Sequence, residues 1–510
     1  MPPYNMLVTA RSNLIHRGSW SISEFIVIYD RNTRQIDSMP GTNSLEAVWR
    51  LSFQSLSQDC ATLLGIMCYL TPDSIPQVLF EPVGVQDLPS ELEICRDQLA
   101  LSNLIDELLT LALIKREKSA RILSLHRLMQ QQFRHFSSPA DNQRFFYYTT
   151  CLLFEAFPQS DAKKGQLYDR WTECQRYLQH VLNLKNQYKE AATSTQPLVP
   201  SLKFLLESAS YTEVQDSLAV AISAFDEIAP EEKNQYLYAD LCASSGLAWA
   251  HRGSFSLARP WLEQSHKIRS AADPPDGLEL SWAEINMANL EASVGNFSSS
   301  LEWQIKALRN RQSTGGEDAK HMHSQAILYQ NLGRCKYLVG NFAEAQVWCH
   351  IAVNLLSESE NWAMLAYTYF VRGNIGRAEG DFARAQEEYT QAHRVWLEKG
   401  LVRTHHFNGA CLYKLGCVAF DQDDSVSAIK HLQESLVIAK LHQNVLVADY
   451  ARVLRKLSVV LRRQPGHEAE AEAWREEAEA IARVRLGVQE GACIANDEQT
   501  YDELVYILWR

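Results

Sequence analysis

The sequence predicts an all-α fold, in which a small module of three helices and a hairpin precedes a long solenoid of paired helices. A pattern of small and aromatic residues recurs about every 42 residues through the second half of the chain. Glycine (22) and proline (16) are scarce among the 510 residues, which favours helix over short-stranded β structure. With 46% hydrophobic and 22% charged residues, the composition excludes a mainly disordered chain.

The repeat has a small residue, a turn residue seven positions later, an aromatic residue two further on, and small residues five and twelve positions after the turn. Clear copies begin at Gly246, Ala288, Gly333 and Gly373, a weaker copy begins at Gly416, and a still weaker one runs through Gly466. The turn positions 253, 295, 340, 380, 423 and 466 are 42, 45, 40, 43 and 43 residues apart. This pattern resembles the tetratricopeptide repeat in its longer form. It predicts a solenoid over 237–485, a degenerate repeat or cap over 201–236, and a C-terminal tail or capping helix over 486–510.

Each unit is expected to be a pair of antiparallel helices. Small residues allow the two helices to approach closely, and the turn glycine supplies a positive φ. One pair cannot bury its apolar face alone, so successive pairs stack around a concave groove.

The groove is the predicted binding face for a peptide or protein. In tetratricopeptide repeats the first helix of each pair faces inward, and six polar residues then fall on inward positions: Asn286, Asn289, Asn331, Arg334, Asn374 and Arg377. Asparagine amides bond a peptide backbone, and arginine holds carboxylates. The alternative is that these are ordinary solvated polar residues.

Residues 43–136 have a different spacing of apolar residues from that of the repeats. Three helices are predicted, with N-terminal caps at Ser57, Ser74 and Asn103. Two short apolar segments, Leu111–Lys115 and Arg121–Leu125, predict a hairpin. A last helix is predicted over His126–Phe136. Three helices with a hairpin make a winged helix.

Segments 44–76 (SLEAVWRLSFQSLSQDCATLLGIMCYLTPDSIP) and 104–133 (LIDELLTLALIKREKSARILSLHRLMQQQF) resemble the winged-helix module of fungal NOD-like receptors. These receptors are signal-transduction NTPases in which tetratricopeptide repeats follow a nucleotide-binding domain. Residues 168–185 resemble the helical bridge of that family, and Ser23–Tyr29 resembles the last helix of its nucleotide-binding part. The resemblance implies three further regions: the remnant of a nucleotide-binding or helical domain over 1–42, a winged helix over 43–136, and a helical bridge and linker over 137–200.

The resemblance also gives one residue a nucleotide-sensing role. A histidine in the winged helix of these receptors contacts the bound nucleotide, and His126 stands at the matching position. The family needs a G-x-x-x-x-G-K-[ST] loop to hold phosphates, and this sequence has none. His126 is therefore expected to sense nucleotide only where a nucleotide-binding domain is supplied, and otherwise to be satisfied locally at a helix start. The chain is expected to need no cofactor and to catalyse no reaction.

Charge and composition exclude other partners. With 49 basic and 61 acidic residues the net charge is −12, so no nucleic-acid partner is expected. No apolar stretch approaches the length of a membrane span. The eleven cysteines contain no C-x-x-C pair and are interpreted as reduced core residues of a cytoplasmic protein. The pairs His321/His323 and His405/His406 lack further ligands at suitable spacing, so solvated loops are expected there and no metal.

Two functions are consistent with these features. The first is the non-catalytic protein-interaction arm of a NOD-like signalling protein, whose solenoid binds a peptide or protein ligand. The alternative is a free-standing repeat scaffold similar to kinesin light chains. A winged-helix face without its neighbouring domain would also be apolar, so self-association is a further expectation.

Overall fold

The computed structural model describes residues 44–82, 88–159, 167–191, 205–207, 210–228, 230, 233–314, 319–359, 361–400, 402–488 and 494–510. The fold is an all-α helical-repeat solenoid preceded by a smaller helical module, as the sequence predicts. The chain forms two compact units, one from residues up to 158 with 172–201, the other from 159–171 with 202–510. The predicted remnant 1–42, the helix at Ser23–Tyr29 and most of the linker before 201 lie outside the described residues.

The described residues of the first unit form helices and one small sheet. Its helices are α1 Ser44–Gln54, α2 Gln58–Met67, α3 Gln98–Thr110, α4 Arg127–Phe136, α5 Pro139–Ala156 and α6 Trp171–Ala191, the last beginning in the second unit. Short 3-10 helices span Gln77–Phe80 and Ser90–Arg96. Strands β1 Ile75–Pro76, β2 Ile114–Glu117 and β3 Ile122–Leu125 form an antiparallel sheet in the order β1-β3-β2.

Local capping explains where these helices begin. The Ser57 hydroxyl accepts a hydrogen bond from the Cys60 amide at 3.3 Å, as predicted. The other two predicted caps are wrong. Ser74 has a φ of 64° and precedes β1, so it starts no helix. Asn103 lies inside α3, because the Asp97 carboxylate already accepts the first free amides of that helix. The hairpin is confirmed as β2 and β3, while assignment of the module as a winged helix stays a prediction.

The second unit stacks helices in sequence order. After α7 Tyr211–Glu227 its described residues form six pairs: α8 Gln235–His251 with α9 Phe255–Ser270, α10 Gly277–Ser293 with α11 Phe297–Ser313, α12 Ala319–Leu338 with α13 Phe342–Ser357, α14 Trp362–Ala378 with α15 Phe382–Lys399, α16 His406–Asp421 with α17 Ser425–Leu441, and α18 Val447–Leu461 with α19 Glu468–Leu486. Each helix packs on its partner, and each second helix packs on the next first helix.

The turns between paired helices confirm the repeat. All six predicted turn positions have a positive φ, from 61° at Asp423 to 87° at Gly466. At Gly340 an added Cβ would meet nothing within 4 Å, so glycine is favoured there for its backbone conformation alone. At Gly373 an added Cβ would lie 2.6 Å from the Tyr389 ring, so this glycine allows the helices of one pair to approach closely.

First and second helices differ in burial. Fourteen of the sixteen residues of α16 are buried, but only six of the seventeen residues of α17. A helix buried on all sides must be covered on two faces. The second helices cover one face of the first helices, and residues 494–510 contact the other. These residues, called here the C-terminal segment, include α20 Glu498–Glu503 and a 3-10 turn at Ile507–Trp509. Among the described residues, no helix is long and apolar enough to cross a membrane.

Candidate functional site

The candidate site is the inner surface formed by the first helices of the second unit, called here the concave face. The C-terminal segment lies on this surface and contacts helices far apart in sequence. The Ile507 amide donates to Ser293 Oγ on α10 at 3.3 Å, and Asn374 Nδ2 on α14 donates to the main-chain oxygen of Arg510 at 3.2 Å. Arg452 on α18 donates to the Trp509 carbonyl oxygen at 3.0 Å. The concave face therefore already binds a stretch of polypeptide.

Three of the six predicted groove residues form one buried cluster. Arg334 Nη2 donates to Asn289 Oδ1 at 2.6 Å and to Asn331 Oδ1 at 2.7 Å. Arg334 is only 4% exposed, and burial lowers the pKa of its guanidinium. The Nε of Arg334 has no hydrogen-bond partner among the described residues. Asn286, one turn earlier on α10, is half-buried.

The other two predicted residues contact the C-terminal segment directly. Besides its bond to Arg510, Asn374 accepts a hydrogen bond from the Tyr389 hydroxyl at 2.6 Å. Arg377 Nε donates to Asp421 at 2.6 Å, and its Nη1 and Nη2 both bond Glu498 of the C-terminal segment. This paired geometry is the strong form of an arginine–carboxylate contact.

Glu498 also accepts from Lys456 Nζ at 2.7 Å, so this carboxylate lies between two cations. Burial opposes its ionisation, but Arg377 and Lys456 outweigh that effect and hold the pKa of Glu498 below its usual range. Glu498 is therefore ionised and paired at neutral pH.

Asp502, one helical turn later, repeats the arrangement. Lys414 Nζ donates to Asp502 Oδ2 at 2.9 Å, and Arg452 Nη1 lies 3.3 Å from Asp502 Oδ1. Burial again opposes ionisation, yet Lys414 and Arg452 hold the pKa of Asp502 below its usual range. Arg452 also contacts Asp449, where burial raises the pKa to about 6.

Aromatic rings and histidines hold the end of the C-terminal segment. The Trp509 ring lies 4.1 Å from the His406 ring and 4.9 Å from the His251 ring, measured between centroids. His405 accepts from the Phe407 amide through Nδ1 and contacts the Glu207 carbonyl oxygen through Nε2 at 2.9 Å, which corresponds to a neutral ring.

The predicted solvated loop at His405/His406 is wrong, because both rings are buried at the start of α16. Burial lowers the pKa of His405 to about 3 and that of His406 well below its ordinary value. His321 and His323 lie inside α12, and no metal-binding cluster of His, Cys, Asp or Glu occurs in the described part of the chain.

The C-terminal segment leaves space beside it. A cavity of about 390 Å³ opens between α20 and the first helices. Its walls include Arg334, Asn374 and Lys414 from the solenoid and Glu503 and Arg510 from the segment. The concave face therefore has polar surface that the segment does not cover.

The predicted nucleotide-sensing residue lies in the first unit. His126 is the N-terminal cap of α4, where its Nδ1 accepts from the Leu128 amide at 3.2 Å. The ring is exposed and satisfied locally. Its role towards a nucleotide stays a prediction.

The sequence did not predict the two carboxylates, Glu498 and Asp502. It also did not predict three of the four cations that pair with them, namely Lys414, Arg452 and Lys456. Lys414 stands nine residues before its turn position, as Asn286 and Asn331 do, so the repeat register could have identified it. No repeat signal exists for Glu498 and Asp502, because they follow the last pair.

Comparison with known proteins bears mainly on the fold. A family described as a domain of unknown function (DUF7779) matches residues 51–141. No curated protein matches the sequence. A Signal Transduction ATPase with Numerous Domains (STAND) from Pyrococcus horikoshii, which has a tetratricopeptide repeat sensor, aligns over 97% of this chain and 68% of its own, with 12% identity and a TM-score of 0.51. A Rap protein complexed with Competence and Sporulation Factor aligns over 70% of this chain and 92% of its own, with 16% identity and a TM-score of 0.49. The likeness to the STAND protein is one of fold.

Proposed function

We propose that the second unit binds a peptide or an extended segment of a partner protein on its concave face. The observation that carries this proposal is that the face already holds the C-terminal segment through side chains of α10, α14, α16 and α18. Several of these contacts are to backbone atoms, which any polypeptide offers.

The charge of the concave face favours an acidic ligand. Four cations on three successive first helices point at the C-terminal segment: Arg377, Lys414, Arg452 and Lys456. These ion pairs are buried or partly buried, so a cation left there without a counter-charge would cost free energy. A carboxylate of the ligand would supply that counter-charge. The ligand is therefore expected to carry carboxylates at matching spacing.

We also propose that the chain is the interaction arm of a NOD-like signalling protein. Support comes from the order of elements, in which the three-stranded module precedes the repeats, and from the fold likeness to a STAND protein with a repeat sensor. The first unit would pass ligand occupancy to a nucleotide-binding domain. The chain itself would catalyse nothing and would act in the cytoplasm, where buried thiols such as Cys349 and Cys411 stay reduced.

The receptor assignment is tested by reading the transcript upstream of Met1. An in-frame G-x-x-x-x-G-K-[ST] motif is expected there. A native protein that contains only these 510 residues would contradict the assignment, without affecting ligand binding by the concave face.

Selection of ligands from a phage-displayed peptide library on the full chain tests ligand binding. Enriched peptides should be acidic and should lose binding to an Arg377→Glu variant. A Lys440→Glu variant is the matched control, since Lys440 is exposed on the second helix α17. Peptides that bind Arg377→Glu as well as the wild-type chain would refute the concave face as the binding site.

A further inference from the structure

We propose that the C-terminal segment is a displaceable occupant of the concave face, and that it excludes partners until one with similar chemistry replaces it. This inference rests on the proposed ligand-binding function and names its ligand class. The ligand is an acidic segment with two carboxylates one helical turn apart, followed by a buried aromatic side chain.

The first argument is charge balance. The solenoid itself supplies two carboxylates to the four paired cations, Asp421 beside Arg377 and Asp449 beside Arg452. The C-terminal segment supplies the other two, Glu498 and Asp502. Without the segment this part of the concave face has two positive charges in excess, so it would attract an acidic replacement.

The second argument is the division of contacts along the segment. Its side-chain contacts are the two carboxylates on α20, the Tyr506 and Trp509 rings against the histidines, and Arg510 Nη2, which donates to the Ser293 carbonyl oxygen at 2.9 Å. The Ile507 amide and the main-chain oxygen of Arg510 add backbone contacts to Ser293 and Asn374. Because any polypeptide offers the backbone contacts, a partner has to match chiefly the carboxylates and the aromatic side chains.

The third argument explains how a partner could compete with a segment of the same chain. A tethered segment has an effective concentration of the order of mM, so a competitor must make a contact that the segment lacks. Arg334 offers such a contact. It is buried, lines the cavity of about 390 Å³, and has no carboxylate partner in the described part of the chain. A third carboxylate placed in that cavity would pair with Arg334.

The test uses a fluorescent synthetic peptide of residues 494–510 and the full chain. Wild-type chain should bind the peptide weakly, because its own segment occupies the site. A full chain with Glu498→Gln and Asp502→Asn keeps the concave face but weakens its own segment, and should bind at least tenfold more tightly by fluorescence anisotropy. Glu398→Gln is the matched control, because Glu398 is exposed on the second helix α15 and should leave binding at the wild-type level.

Hydrogen exchange on the wild-type chain covers the case in which the double variant does not fold. Amides of α20 should exchange by a local opening, faster than those of α14 and α16. If the amides of α20 exchange only as slowly as those of α14 and α16, the C-terminal segment is a permanent part of the fold, and the inference is overturned.

The outcomes separate the inference from the proposed function. Equal peptide affinity of the wild-type chain and the double variant would show that the C-terminal segment does not exclude ligands, but it would not contradict ligand binding by the concave face. Absence of peptide binding to a folded double variant overturns the acidic ligand class. For Arg334, library-selected peptides should bind an Arg334→Gln variant at least tenfold more weakly, while the 494–510 peptide keeps its affinity for the same variant. An equal effect on both kinds of peptide would rule out the additional contact.

Discussion

Acid should destabilise the second unit, because three histidines of the concave face are buried as neutral rings. Burial lowers the pKa of His251 and of His405 to about 3, and that of His406 well below its ordinary value. In an unfolded chain a histidine binds its proton near pH 6.5. Between pH 6.5 and about 3 the unfolded chain thus binds more protons than the folded chain, and the free energy of unfolding falls as the pH falls.

The size of the effect follows from the same values. At pH 5, roughly 1.5 pH units below the unfolded value, each of the three histidines costs about 2 kcal/mol. Asp449 acts in the opposite direction. Burial raises the pKa of Asp449 to about 6, so the folded chain binds a proton there before the unfolded chain does. By pH 5 this binding offsets about 1 kcal/mol of the loss caused by the histidines. The expected net loss is about 5 kcal/mol, which is comparable to the whole stability of many domains. His266, His393 and His431 have pKa values lowered by burial and add to the loss.

Urea unfolding followed by far-UV circular dichroism at pH 5, 6 and 7 measures this loss. The range stays above the pH at which Glu498 and Asp502 take up protons, since their pKa values are lowered. A His406→Phe variant has an apolar ring in place of one titrating group and should recover about 2 kcal/mol of the loss. His350→Gln, on the exposed surface of α13, should behave as wild type. A loss in His406→Phe equal to that of wild type would refute the reasoning.

Three further predictions concern the scaffold. Gly373→Ala should lower the free energy of unfolding by about 1–3 kcal/mol in urea, because the new methyl group would overlap the Tyr389 ring; an unchanged midpoint would contradict the close approach of α14 and α15. Asp423→Gly should raise the free energy of unfolding by about 1 kcal/mol, since Asp423 has a positive φ of 61°, which glycine adopts more readily. A lower melting temperature would count against that explanation. Ser57→Ala should cost the first unit about 1 kcal/mol through loss of the α2 cap, measured by hydrogen exchange in α2; exchange as slow as in wild type would show that the cap is dispensable.

The repeats were predictable because their physics is local. The positions of Gly340 and Gly380 follow from the turn that joins two helices, and the turn recurs with each pair. Gly333 and Gly416 follow from the close contact within a pair, where a Cβ would lie 2.5 Å from Cys349 Sγ and 2.6 Å from Leu432 Cγ. The turn conformation and the close approach of paired helices both involve residues fewer than 20 positions apart, so they produce a repeating pattern in the sequence.

The occupied concave face was not predictable in the same way. Glu498 reaches Arg377 across 121 residues, and nothing in the composition of either neighbourhood marks the pair. The burial of His405 and His406 is not visible in the sequence for the same reason, since the rings that bury them come from Trp509 and Trp396. In the first unit the predicted cap at Asn103 differs from the structure because Asp97, six residues earlier, already caps the helix, so that Asn103 lies inside it.

The place of the C-terminal segment in the chain also sets an order of events during synthesis. Contacts between neighbouring pairs form as each pair leaves the ribosome, so the repeats can assemble one after another. The Ser293 hydroxyl, by contrast, bonds a residue 214 positions later. At about 5–20 residues per second, the ribosome needs roughly 10–40 s to reach that partner. All four cations of the inner surface have been made only once Lys456 is added, 42 residues before Glu498, so the complete cationic surface is uncovered for roughly 2–8 s at the same rate. An acidic ligand that is present in the cell then meets no competitor.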